Sequence, residues 1–164
     1  MSRLIRYQGA IVQDDQILLI MHREHSTGRA YWVIPGGGRE LGETEEACVQ
    51  REMLEETSLD IVVERLLLDE PGVPNGVYKR FKTYLCKVVK GEPQPGYEPE
   101  VEAAQNYAIV EVRWFDLRDP NSWESKMRDD PFTFPTVQRI RVVLGYEIES
   151  SDRSGTIDSW ERAA

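Results

Sequence analysis

The run "IPGGGRELGETEEACVQREMLEETSL", residues 34–59, constrains this chain more than any other stretch. Three consecutive glycines follow Pro35, and residues 44–57 beyond them contain neither glycine nor proline. A flexible loop running into a helix is therefore predicted, with Thr44 as N-cap and Glu45 and Glu46 in the first turn, where the helix dipole favours anions. At about 100° per residue, Glu52, Glu55 and Glu56 stand at i, i+3 and i+4 on one arc, with Glu45 on the same side. Ala47, Val49, Met53, Leu54 and Thr57 take the other side and are expected to pack on a sheet.

Glycines ahead of a helix suit a phosphate, yet the glutamates would repel one. Gly37 and Gly42 open a G-x-x-x-x-G pattern, but Glu43-Thr44 stand where a P-loop needs Lys-Ser/Thr, which reverses the charge. The dinucleotide spacing G-x-G-x-x-G does not close within "GGGRELG". A hard divalent cation reconciles the two features, because Mg²⁺ or Mn²⁺ prefers carboxylate oxygens and bridges them to phosphates. The bland alternative is a solvated acidic helix face.

The remainder of the chain narrows the class. Its 164 residues suit one core, with 1–149 as a single domain and 150–164, a polar stretch, as a flexible tail. A net charge of -9 disfavours nucleic-acid polymers and anionic membranes as partners, and no apolar run approaches the ~20 residues of a membrane span. "MSRLIRYQGA" lacks the apolar segment of a signal peptide, so a cytoplasmic protein is the default reading. Cys48 and Cys86 read as reduced and buried.

Residues 4–23 read as a hairpin turning at "DDQ", and "YWVI" reads as a short strand stopped by Pro35. "IVVERLLLDE", "VYKRFKTYLCKVV" and "AIVEVRWFDL" read as further strands, with "PGVPNG" as a turn between the first two. "KGEPQPGYEPEVEAAQN" reads as a long polar loop. Val137, Ile140, Val143 and Leu144 recur at helical spacing, which predicts a C-terminal helix packed on the sheet. The expected architecture is α/β, a mixed sheet with helices packed on it.

With these residues laid out, the chain resembles the Nudix hydrolases, whose motif is G-x5-E-x7-R-E-U-x-E-E-x-G-U with U apolar. Gly37, Glu43, Arg51, Glu52, Met53, Glu55, Glu56 and Leu59 meet it in order, and Ser58 stands where the family has glycine. The resemblance covers roughly residues 4 to 148 and implies an α/β/α sandwich carrying a loop-helix-loop. It implies hydrolysis of a nucleoside diphosphate linked to another group X, by attack of metal-activated water on phosphorus, with Mg²⁺ as cofactor and Mn²⁺ as a substitute. ADP-ribose, nucleoside triphosphates and nucleotide sugars are all open as substrates; a nucleotide-sensing domain without catalysis is the alternative.

By position, the resemblance makes Glu52, Glu55 and Glu56 metal ligands, with the Gly36 carbonyl completing the shell, and makes Arg51 and Glu43 an internal pair holding the loop to the helix. The general base would be Glu52 or one of the loop glutamates Glu98, Glu100 and Glu102. Arg23 and Arg29 are candidate phosphate clamps, Tyr78 is a candidate base-stacking ring, and Gly37 and Glu100 complete the expected substrate contacts. His22 and His25 lack companions for a metal site, and Trp32 and Trp114 read as core. Family members are often homodimers, which nothing in this sequence tests.

Overall fold

A computed structural model describes residues 4–99 and 101–147 of the chain. Glu100, the side chain of Glu102 and the expected tail 150–164 lie outside the described residues.

Strand β1 (Ile5–Gln13) and strand β2 (Gln16–Glu24) are joined by Asp14 and Asp15, both at positive φ, 50° and 61°. Two successive left-handed residues give a hairpin turn whose twist matches its strands. The expected hairpin exists, but only Val12↔Ile17 and Gln13↔Gln16 pair across it. Beyond that point the strands part. β1 runs parallel to β6 (Arg80–Lys90), from Ile5↔Arg80 to Ile11↔Cys86, while β2 runs antiparallel to β7 (Tyr107–Asp116) along its whole length. β3 (Ala30–Val33) takes the edge of β2 that β1 leaves, and β4 (Gly36–Gly37) pairs antiparallel with β1 at Tyr7 and Gln8. The glycine loop therefore lies in the opening of a split sheet. β5 (Asp60–Pro71) closes the far edge against β6, and the seven strands form one mixed sheet.

Helices cover both faces, as an α/β/α sandwich requires. Helix α1 (Glu45–Thr57) buries Cys48, Val49 and Met53 against Tyr7, Ile11, Leu18, Leu59, Ile61 and Tyr84. Its N-cap is Thr44, whose hydroxyl accepts the Ala47 N–H at 3.1 Å. At its other end Ser58 adopts φ 65° and donates its N–H to the Leu54 carbonyl at 3.0 Å, so serine takes the left-handed cap that glycine takes more cheaply. On the opposite face α3 (Ser125–Arg128) and α4 (Thr133–Val143) follow the short α2 (Val101–Asn106), and Met127, Val137 and Ile140 pack with Trp32, Phe115, Leu117 and Trp123. None of the helices among the described residues is long and apolar enough to cross a membrane.

Four local expectations are corrected. Leu54 is 49% exposed while Cys48 is fully buried, so the packing arc of α1 is rotated from the one its apolar residues suggest. Val143 is exposed and Arg141 is buried, its Nε donating to the Leu117 carbonyl at 2.6 Å. β6 begins at Arg80 rather than Val77. The long polar loop ends in α2, because the segment after Pro99 offers helix-forming residues without glycine or proline.

Candidate active site

Arg51, on α1, gathers the box. Its Nε and Nη2 donate to the two carboxylate oxygens of Glu43 at 2.7 and 3.0 Å, a bidentate contact. Nη1 donates to Glu52 Oε1 at 3.0 Å and to Glu55 Oε2 at 3.1 Å, and Nη2 also reaches the Gly38 carbonyl at 3.2 Å. One guanidinium thus ties the glycine loop, the residue after it and two turns of helix together. Hydrogen bonding to Arg51 holds the Glu43 carboxyl below its ordinary pKa.

Glu52 and Glu56 are buried, 3% and 0% exposed, which removes the solvated-face reading for both. Glu56 Oε2 accepts the Gly36 N–H at 2.9 Å, whereas its Oε1 is buried with no partner among the described residues. Burial pushes the Glu56 carboxyl well above the usual range; the charge of Arg6 opposes this and Glu52 adds to it. Burial likewise lifts Glu52 to about 7 against the pull of Arg51, and lifts Glu55 in the same direction. Gly37 lies flat against the Glu52 carboxylate, since a Cβ there would stand 2.4 Å from Oε1. Only glycine lets the loop backbone approach so closely.

The segment after β6 straps the C-terminal end of α1. Backbone N–H groups of Gln94, Gly96 and Tyr97 donate to the carbonyls of Thr57, Glu56 and Glu55 at 3.0, 2.9 and 3.1 Å. These carbonyls would otherwise lack helical partners. The strap carries Glu98, which accepts the Tyr107 hydroxyl at 2.9 Å and whose charge is felt at both Glu55 and Glu56.

The other expected contacts scatter. Arg23 is exposed on β2 opposite Ala30 and Ala108, and Arg29 lies over the Tyr31 ring at 5.2 Å; neither is joined to the box carboxylates among the described residues. Tyr78 stands edge-on to Phe81, with Arg6 over its ring at 5.9 Å. His25 contacts the Ala104 carbonyl through Nε2 at 3.0 Å. Two features escaped sequence reasoning. The charge of Arg6 on β1 acts on Glu56 and Glu52, and the buried His22 stacks on Tyr107 at 4.1 Å. Neither belongs to a local motif, so only strand pairing reveals them.

This donor set fits a hard cation. The four carboxyl groups of Glu43, Glu52, Glu55 and Glu56 outnumber the two guanidinium groups whose charges act on them, Arg51 and Arg6, so ionising all four calls for a further cation, and Glu56 Oε1 lacks a partner among the described residues. Among the described residues no three acidic, histidine or cysteine side chains already converge as ligands, because Arg51 draws Glu52 and Glu55 to itself.

Comparison with known proteins agrees with the box. A family model described as NUDIX domain matches residues 4–135. The chain is 40% identical over 90 residues to the NAD-capped RNA hydrolase NudC of Photobacterium profundum, covering 54% of this chain and 32% of that protein. It is 31% identical over 130 residues to putative nudix hydrolase 1 of Caenorhabditis elegans, covering 79% of this chain and 31% of that protein. The chain therefore spans about a third of the length of these curated relatives. Among solved structures, a UDP-X diphosphatase superposes with TM-score 0.60 at 23% identity over 86% of this chain and 62% of the other. An ADP-ribose pyrophosphatase from Streptococcus suis does so with TM-score 0.60 at 23% identity over 88% and 93%. The fold is theirs, the box is intact in its charged positions, and the chain belongs to the Nudix hydrolase family.

Proposed function

We propose that this protein hydrolyses the diphosphate linkage of a nucleoside diphosphate joined to another group, with Mg²⁺, or Mn²⁺ in its place, held by Glu52, Glu55, Glu56 and the Gly36 carbonyl. The observation that carries this reading is the buried, partnerless Oε1 of Glu56 beside an excess of carboxylate charge. A divalent cation bound there activates water and offsets charge on the phosphoryl oxygens. Arg51 and Glu43 keep the glycine loop on the helix, and Gly37 lets its backbone come close to substrate. Glu98, fixed by Tyr107, and Glu52 are the candidates to accept the proton of the attacking water.

The names of similar proteins share one chemistry. NAD-capped RNA hydrolase, UDP-X diphosphatase and ADP-ribose pyrophosphatase each denote cleavage at a nucleoside-linked diphosphate. ADP-ribose, nucleoside triphosphates and nucleotide sugars all stay open as substrates. Product analysis on ADP-ribose, UDP-sugars, NAD and dGTP should show Mg²⁺-dependent cleavage of at least one, with Glu56→Gln slower by about 10²-fold or more. Full turnover by Glu56→Gln would sink the reading, and tight nucleotide binding without cleavage would favour a sensing domain.

A further inference from the structure

Arg6 is a part-buried cation with unusual company. Its Nε donates to Gln8 Oε1 at 3.2 Å and its Nη2 to the Ile34 carbonyl at 2.9 Å, two residues before the glycine loop. No carboxylate among the described residues lies within ion-pair distance of it, and Nη1 has no hydrogen-bond partner there. Arg6 is only half-buried and Nη1 is not shut off from solvent, so this donor is open to an arriving anion. Burial disfavours its charge, yet the more distant Glu56, with Tyr78, Tyr107 and Glu52, outweighs burial and keeps Arg6 a firm cation.

The surroundings narrow the ligand. His22 is 5% exposed, its Nε2 is buried without a partner among the described residues, and burial together with Arg6 lowers its pKa to about 3, so it is neutral. It stacks on Tyr107, which Glu98 ties to the strap, and meets Tyr31 edge-on. Arg6 thus lies over the Tyr78 ring at 5.9 Å and is held to the residue two before the glycine loop, with the charges of Glu56 and Glu52 acting on it.

We propose that Arg6, anchored to Gln8 and the Ile34 carbonyl just before the glycine loop, contacts the diphosphate of the substrate directly as its anion clamp. This rests on the diphosphate reading above and gives that substrate a fixed cation which the box lacks, Arg51 being wholly engaged with Glu43, Glu52 and Glu55.

The test is calorimetric titration of wild type, Arg6→Lys and Arg6→Gln with methylenediphosphonate in millimolar Mg²⁺, alongside the Mn²⁺-induced rise in Tm of each. Arg6→Gln should bind the analogue about tenfold or more weakly, and Arg6→Lys should lose less, since a point charge replaces a fork. Both should keep the wild-type Mn²⁺ response, and for any substrate turned over KM should rise more than kcat falls. Binding by Arg6→Gln within about twofold of wild type overturns the clamp, as does a wild type that binds no analogue. Loss of the Mn²⁺ response together with analogue binding also overturns it, since Arg6 would then act only through Glu56. If analogue binding depends on Arg6 while no diphosphate is cleaved, the clamp stands and the hydrolase reading falls. Melting curves for Arg6→Lys check that the fold survives the substitution.

Discussion

Glu52 governs how the metal-free protein responds to pH. Burial raises its carboxyl from 4.5 to about 7, so the folded chain holds a proton that the unfolded chain releases between those values. The Glu52 contribution is therefore greatest below about pH 4.5, falls as pH rises through 7, and is level beyond; Glu55 and Glu56, also raised, add decline in the same direction. Glu43, lowered by Arg51, acts only at more acidic pH. In EDTA, Tm should decline from about pH 5 to about pH 8, and Glu52→Gln should flatten that decline by an amount on the order of 3 kcal/mol at the alkaline end. The amide oxygen can still accept from Arg51, so the gain comes from removing a buried charge. An unchanged or steeper slope in the variant would contradict this account.

At the scale of elements, α1 depends on what caps its two ends. Thr44 at the start is legible in sequence; the strap at the finish is not, because Gln94, Gly96 and Tyr97 reach it from 37 to 42 residues beyond the carbonyls they serve. Gly96 is the tightest point, since a Cβ would stand 1.7 Å from the Glu55 carbonyl oxygen. Gly96→Ala should lift the strap, expose three helix carbonyls and cost about 1–3 kcal/mol, seen as a lower Tm and faster amide exchange at residues 94–97. Turnover should fall as well, because Glu98 rides on the same segment. A Tm within about 1 °C of wild type would show that the strap contributes little to α1.

For the molecule as a whole, the split between β1 and β2 makes the site. It admits the glycine loop beside β1, places α1 over that opening, and brings Arg6 to the Ile34 carbonyl just ahead of the loop. A fold that buries this much like charge should be stabilised by the ion that neutralises it, so millimolar Mg²⁺ or Mn²⁺ should raise Tm by mass action, about 3 kcal/mol at a hundredfold excess over Kd. Glu56→Gln should abolish most of that rise; a wild type indifferent to both ions would remove the cation from this picture. The sequence alone determined the helix, its Thr44 cap and the order of glycine, arginine and glutamates, since 3.6-residue geometry and capping chemistry act over a few residues. It also indicated the mixed sheet, through alternation and turn residues. Only the tertiary structure decided which arc of α1 is buried, because periodicity spaces side chains around an axis without saying which way the axis is turned. That rotation left Leu54 outside and placed Glu52 and Glu56 inside, where the charge of Arg6 acts on them, while strand pairing brought His22 onto Tyr107.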